Sequence, residues 1–291
     1  MTRFGPAGNC DRFYAENHKS TLEAPAWLAA QGLDAFEYSA GRGVSLSEKT
    51  ARAIGQQARL HGVALSIHAP YYINCAAADP EKREKSIQYL LDAAQACCWM
   101  GGERVVFHVG SPVKLKRQEA NRLATRTALA ALDRLEQAGL GHIRLCPETM
   151  GRPSQLGTLE ETLELCALDP RFIPTLDFGH LHTMGLGALK TRDDFRRVLD
   201  KLLAALGQDR ARNFHAHFSH IEYTGKGEKR HMRFQDPGYG PDFALLAPLL
   251  HEYRLEPTII CESSGTQADD ALTMQRLWCA CAPQPRQETQ P

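Results

Sequence analysis

The sequence lacks three features that would place a protein in a class at once. It has no run of about 18 apolar residues, so nothing in it predicts a membrane-spanning helix. It has no excess of either charge, because 34 Lys and Arg balance 34 Asp and Glu, so any contact with nucleic acid would need a local basic patch. None of its nine cysteines forms a CxxC pair, which argues against a cysteine zinc site.

The opening residues also lack the basic segment and apolar core of a secretory signal. Together with an odd number of scattered cysteines, this predicts reduced thiols that fill the core of a cytoplasmic protein. We expect a monomer with no membrane partner. Apolar residues make up 43% of the chain and charged residues 23%, an ordinary composition for a globular protein.

What the sequence does contain is an alternation of short β-rich segments with longer amphipathic ones. The β-rich segments are TRFGPAG, LDAFEYSA, ALSIHAPYYIN, RVVFHVGS, IRLCPETM, FIPTLDFGHLH, NFHAHFSHIEY and PTIICESSG. Amphipathic segments follow them, several with a capping residue such as Ser47 or Asp79 at the start and a glycine such as Gly62 at the end. Eight such units predict one α/β domain, a (β/α)8 TIM barrel over residues 1–281, with a disordered polar tail over residues 282–291.

A doubly wound sheet would alternate in the same way, but the polar residues favour the barrel. Metal-binding side chains stand at the ends of the third to eighth strands, namely His68, His108, Glu148, Asp177, His180, His217 and Glu262. The carboxyl ends of barrel strands form one rim, where active sites are built from several strands at once. Any one of these residues could be a core or rim side chain, but six strands in register indicate a metal site.

Imidazole and carboxylate ligands without thiolate suit zinc, manganese or iron. Seven ligands exceed the need of one ion and predict two or three ions bridged by carboxylates. Paired ions are a recurrent solution to phosphodiester hydrolysis.

The segment HAHFSHIEYTGKGEKRH holds four of the twelve histidines. We expect His217, at the strand end, to be a ligand, and His231 returns after a glycine-rich loop. His215 lies two residues earlier on the same face, so it is either an interior histidine or a donor that orients a ligand. We expect His182 and His220 to lie on loops, at the surface or lining the pocket.

At this point the chain resembles AP endonuclease family 2, the endonuclease IV-like zinc barrels among the xylose isomerase-like TIM barrels. The matching segments, between residues 68 and 263, are HAPYYIN, FHVGS, PETMG, LDFGHLH, HFSHIEY, GEKRH and CES. The resemblance implies a DNA repair enzyme that binds three zinc ions and cuts DNA on the 5′ side of abasic sites. Manganese is an alternative metal.

The resemblance also implies a ligand set. His68 and His108 would hold one zinc, and Glu148 would bridge it to a second, with the attacking hydroxide between the two. The second zinc would also take Asp177, His217 and Glu262, and the third His180 and His231. Glu148 and Glu262 are accordingly the residues we expect to be most sensitive in catalysis.

The chain departs from the family at the third site, where an Asp normally stands two residues before the last His. Lys229 occupies that position here. We predict that Glu228 or Asp236 replaces the missing ligand. A helical or turn-like bend would bring Glu228 and His231, three residues apart, to one ion.

Four residues are candidates for binding substrate. Tyr71, Tyr72 and Asn74 follow the first ligand histidine, where aromatic side chains could wedge into a duplex, and Arg42 follows the second strand. The alternative is that the two tyrosines line a pocket of any kind.

Two rival functions remain open. A sugar isomerase or epimerase of the same superfamily would need one ion on Glu148, Asp177, His217 and Glu262, and would take a small sugar or sugar phosphate. A barrel without catalysis could bind a phosphorylated ligand or a partner protein. His68, His108 and His231 favour the hydrolase, whereas the neutral net charge favours a small substrate.

Overall fold

Eight parallel strands form the barrel in a computed structural model that describes residues 1–282. The strands are β1 (Arg3–Pro6), β2 (Ala35–Ser39), β3 (Ala64–His68), β4 (Arg104–Phe107), β5 (Arg144–Pro147), β6 (Thr175–Asp177), β7 (His215–Phe218) and β10 (Thr258–Cys261). They pair as two halves, β1-β10-β7-β6 and β2-β3-β4-β5. Single bridges between Ala7 and Glu37 and between Glu148 and Thr175 close the ring. The predicted (β/α)8 barrel is confirmed, and residues 283–291 of the expected tail lie outside the described residues.

Ten α-helices accompany these strands in the described part of the chain. They are α1 (Asp11–Ala15), α2 (Ala24–Gln31), α3 (Glu48–His61), α4 (Pro80–Met100), α5 (Arg117–Gln137), α6 (Leu159–Leu168), α7 (Phe178–Met184), α8 (Arg192–Ala211), α9 (Phe243–Glu252) and α10 (Gln267–Ala280). The predicted caps are confirmed: the Ser47 and Asp79 side chains accept hydrogen bonds from the first turns of α3 and α4, and Gly62 ends α3 with a positive φ of 70°.

The seventh β-rich segment is not one strand, as its sequence predicted. β7 ends at Phe218, and the chain then forms an antiparallel hairpin of β8 (His220–Thr224) and β9 (Gly227–Met232). The prediction was wrong because apolar and polar residues alternate through both β7 and β8. This pattern does not show at which residue the chain stops pairing with the neighbouring strands of the barrel. His220 and His182 are likewise not on loops. His220 lies in β8 with its ring 4.6 Å from that of Phe234, and His182 is buried in α7.

The core includes six of the nine cysteines, and all nine are free thiols, as expected. Across residues 1–282, no helix combines the length and the apolar character that crossing a membrane requires.

Candidate metal centre

The pairing of the barrel strands brings the polar residues into neighbouring positions at the rim. His68 is the last residue of β3, while His108 and Glu148 directly follow β4 and β5. Asp177 at the end of β6 is the register partner of His217 on β7. Because parallel strands keep their ends at one level, these side chains face a common space at the mouth.

Glu148 lies at the centre of this space and is fully buried. Its Oε2 is 3.2 Å from Nε2 of His68 and 3.1 Å from Nε2 of His108. Its Oε1 is 3.1 Å from Nδ1 of His217 and 3.3 Å from Nδ1 of His180. Each oxygen of one carboxylate therefore serves a different pair of imidazoles, which is the arrangement of a bridging carboxylate.

The structure brings all nine candidate ligands together in three groups. Within each group, the donor atoms lie within 4.8 Å of one another. The first group is His68, His108 and Glu148, and the second is Glu148, Asp177, His217 and Glu262. The third group is His180, Glu228 and His231. The donor chemistry fits zinc or manganese, since it combines imidazole with carboxylate. A second observation also supports a metal site: Asp177 Oδ2 is buried and has no hydrogen-bond partner, as expected of an oxygen that binds a cation.

Glu228, rather than Asp236, completes the third group. Ile221 pairs with His231 and Tyr223 pairs with Glu228, so one extra residue, Lys229, forms a β-bulge in β9. The bulge puts Glu228 and His231 on the same face of the hairpin, although they are three residues apart. The predicted helical or turn-like bend is therefore wrong.

Asp236 is engaged elsewhere, because its Oδ2 accepts a hydrogen bond from the Arg233 amide at 2.9 Å. The hairpin is held against the loop after β5, where the Glu228 amide donates to the Gly151 carbonyl at 2.9 Å. A Cβ on Gly151 would stand 2.8 Å from the Glu228 Cβ and 2.9 Å from the His180 ring, so only glycine permits this approach.

Several histidines have one ring nitrogen held by the protein and the other facing the centre. Nδ1 of His68 lies 2.8 Å from the Ala69 carbonyl, and Nδ1 of His180 lies 2.9 Å from the Thr149 carbonyl. A carbonyl only accepts hydrogen bonds, so these contacts place the proton on Nδ1 and leave Nε2 free to bind a cation.

The carboxylates of the centre differ in the direction in which their surroundings shift their pKa. Burial alone would raise the pKa of Glu148, but the His217 and His108 imidazoles hold that pKa well below its usual value. His217 likewise overcomes burial at Glu262 and lowers its pKa to about 2. At Asp177 burial prevails over the nearby His180 and raises the pKa to about 6. Glu148 and Glu262 are thus anionic at neutral pH and able to bind a cation directly.

The candidate substrate residues surround this mouth. The half-exposed Tyr71 ring stacks on His108, with centroids 5.4 Å apart, and the half-exposed Tyr72 packs edge-on against Tyr89 at 4.7 Å. Arg42 is exposed. The Asn74 side chain joins two loops, because its Oδ1 accepts hydrogen bonds from the Ala76 and Ser111 amides. Its role in substrate binding stays a prediction.

One residue of the centre was missed by the sequence reasoning. Glu37, on β2, is fully buried, and its Oε1 lies 2.9 Å from Nε2 of His217. The available signal was the acidic residue between Phe36 and Tyr38 in the β-rich segment LDAFEYSA, because a carboxylate is rarely buried without a partner.

Comparison with known families gives the same fold. A family described as xylose isomerase-like TIM barrel matches residues 25–278. The chain belongs to this family. The resemblance to AP endonuclease family 2 is thereby confirmed, together with a place in an enzyme superfamily whose members generally bind metal ions.

Relatives in this family differ in what they are named. An uncharacterized protein of Methanocaldococcus jannaschii is 31% identical over 250 residues, 85% of this chain and 88% of that protein. A probable endonuclease 4 of Nitratidesulfovibrio vulgaris is 25% identical over 79% of this chain and 83% of its own.

Two solved structures with different names share the fold. Endonuclease IV from Thermus thermophilus superposes with a TM-score of 0.67 at 24% identity, covering 96% of this chain and 100% of its own. A D-tagatose 3-epimerase-like protein superposes with a TM-score of 0.71 at 19% identity, covering 96% and 97%. At these identities the likeness concerns the fold alone.

Proposed function

We propose that this protein is a metal-dependent phosphodiester hydrolase that acts on DNA at abasic sites. The observation that supports this most is the position of Glu148. Its carboxylate touches four imidazoles and joins the group at His68 and His108 to the group at Asp177, His217 and Glu262. A barrel that needs one ion has no use for the first group, whereas phosphodiester hydrolysis commonly uses neighbouring ions.

The three groups of side chains would hold two or three zinc ions, with manganese as the alternative. Bound there, such ions would activate water and neutralise charge that develops on the phosphate and the leaving oxygen. The protein supplies the geometry, because Glu148 and Asp177 are buried and leave little freedom for their ligand atoms. The Glu262 side chain is 14% exposed and so borders the mouth, where substrate would enter.

Substrate would be held by side chains around the mouth. Tyr71 lies against His108 and presents half of its surface outward, where it could stack on a base or fill the gap left by a missing one. Arg42 is exposed and follows Gly41, whose carbonyl accepts a hydrogen bond from the Tyr71 amide at 3.1 Å, so its charge suits a phosphate near that tyrosine. Lys229 and Arg230, by contrast, each lie 2.6 Å from a Glu222 oxygen, so their charge is already partly compensated.

The test joins metal analysis with cleavage. Purified protein should contain two or three zinc ions and should cut a duplex with one abasic site on the 5′ side of the lesion. A chelator should abolish cutting and zinc should restore it, while a duplex with an intact base at that position serves as the control substrate. A metal-loaded protein that leaves the abasic duplex uncut would refute the proposal.

A sugar isomerase or epimerase is the second candidate. The group Glu148, Asp177, His217 and Glu262 is sufficient by itself for one divalent ion, and the epimerase-like structure cited above has the same fold. This candidate predicts one ion per chain and turnover of a keto sugar or sugar phosphate. It also predicts that His68→Ala leaves both the metal content and the turnover unchanged.

A further inference from the structure

A second layer of polar side chains lies beneath the candidate metal centre, inside the barrel. Glu37 on β2 and Ser66 on β3 are register partners, and His215 lies on β7, two residues before His217. The side chains of Glu37, Ser66 and His215, and that of His217 above them, are fully or almost fully buried. Buried polar groups in a barrel interior are costly unless they satisfy one another, so the contacts within this layer indicate its purpose.

The orientation of the Glu37 carboxylate is fixed through one of its oxygens. Oε2 accepts a hydrogen bond from the Ser66 hydroxyl at 2.8 Å and lies 3.1 Å from Nε2 of His215. The other oxygen, Oε1, is thereby turned toward His217, whose Nε2 is 2.9 Å away. This contact lies outside the angular limits of a well-formed hydrogen bond, and neither atom has another partner. Two buried, unpartnered polar atoms therefore face each other.

The two ring nitrogens of His217 face different environments. Nδ1 points into the centre, 3.1 Å from Glu148 and 3.4 Å from Glu262, whereas Nε2 points down to Glu37. A neutral imidazole carries its proton on one nitrogen only, and the other is the ligand atom. In His68 and His180, the nitrogen that faces away from the centre, Nδ1, lies against a backbone carbonyl. In His217, the nitrogen that faces away from the centre is Nε2, and it lies against the Glu37 carboxylate instead.

We propose that Glu37 is a positioning residue that holds His217 as the tautomer with the proton on Nε2. The negative carboxylate, 2.9 Å from Nε2, stabilises the proton on that nitrogen and so leaves the Nδ1 lone pair directed at the second metal site. Ser66 and His215 keep the carboxylate from rotating away. The inference rests on the proposed metal centre but not on any particular substrate, so its test is metal binding rather than DNA cleavage.

The test compares three variants by zinc content after dialysis against graded concentrations of a chelator. Glu37→Gln keeps the side-chain volume and removes the negative charge, so one zinc should dissociate about 10–100-fold more readily than in the wild type. Asp177→Asn, which alters a residue proposed to bind that same ion, should lose the same zinc. Asp236→Asn is the control: its carboxylate lies outside this layer and accepts a hydrogen bond from the Arg233 amide, so zinc affinity should stay near that of the wild type.

A spectroscopic measurement separates positioning from a merely structural role. In zinc-loaded protein with ¹⁵N-labelled histidine, His217 should show a protonated Nε2 and an unprotonated Nδ1, and Glu37→Gln should weaken the protection of that proton from exchange. A proton on Nδ1 of His217 would overturn the proposal.

The other outcomes are equally decisive. Unchanged zinc affinity in Glu37→Gln, equal weakening of every ion together with a lower melting temperature of the metal-free variant, or wild-type protein that binds no zinc would each overturn it. So would an additional ion that Glu37→Gln loses and Asp177→Asn retains, because Glu37 would then bind metal itself. Selective zinc loss without any cleavage of abasic DNA would support the positioning role and refute only the hydrolase proposal.

Discussion

The strand ends of the barrel and the β8–β9 hairpin both contribute candidate ligands, but they hold them in different ways. Glu148 and His217 at the barrel rim have side chains that are 1% and 0% exposed, whereas Glu228 and His231 on the hairpin are 15% and 27% exposed. The rim residues are positioned by parallel strand register. The hairpin residues are positioned by one bulge and by the contact of Glu228 with Gly151.

The difference indicates where this centre can vary. A rim ligand cannot move without its strand, which is bonded on both sides, so its geometry is part of the fold. The hairpin ligands depend instead on how β8 pairs with β9, so a change at the bulge would present another residue. In this chain Lys229 stands where the resemblance led us to expect Asp, and the bulge still brings a carboxylate to the third group through Glu228.

Glu148→Gln is expected to have the largest effect. The variant keeps the volume of the side chain but removes the charge that four imidazoles surround. Activity should fall by more than about 100-fold, the upper range for residues that only support a ligand, while the protein stays folded. Turnover near that of the wild type would show that the bridging position is not used.

His68→Ala and His108→Ala are each expected to remove one metal ion, and the two variants should lose the same ion. Both side chains face the same oxygen of Glu148, so neither alone should complete the site. Zinc analysis together with circular dichroism checks this. Unfolding of the barrel with full metal content would mean that these histidines are structural.

Glu228→Gln should act on the hairpin group alone. We expect the third ion to bind about 10–100-fold more weakly, with the other ions retained. Asp236→Asn is the control, because Asp236 bonds to a backbone amide outside the group. Equal losses from both variants would contradict the assignment of Glu228.

Asp177 gives the rim a pH dependence of its own. Burial raises its pKa to about 6 in the metal-free protein, so its protonated form favours the folded state. The stability that this provides is fully present below the pKa of the unfolded chain and is lost as the pH rises through about 6. A pKa raised from 3.8 to about 6 corresponds to about 2–3 kcal/mol, so relative to Asp177→Asn the melting temperature of metal-free wild type should fall by about 5–10 °C between pH 4 and pH 7. A constant difference over this range would show that the carboxyl group is not buried as described.

Arg42→Ala is expected to have the smallest effect, on binding of DNA. If Arg42 contacts one phosphate, the variant should lower the slope of log affinity against log salt by roughly 0.9. Arg230→Ala should change it less, because Arg230 already pairs with Glu222. Affinity of the wild type that does not respond to salt would favour a small uncharged substrate.

The alternation of segments and the polar residues at the strand ends were enough to predict the barrel and the rim. His68, His108, Glu148 and Asp177 could be recognised because each ends or directly follows an apolar β-rich run, and barrel closure necessarily gathers such ends. The resemblance to a known family then supplied His231, which no strand end marks.

Only the tertiary structure decided the third group and the layer beneath the centre. The choice of Glu228 over Asp236 depends on a bulge at Lys229, and a bulge is a property of how two strands pair, not of either strand's own pattern. Glu37 and His217 are 180 positions apart along the chain, and periodicity shows only that each faces the interior. Their contact exists because closing the ring of strands sets the distance across the barrel, which local sequence does not encode.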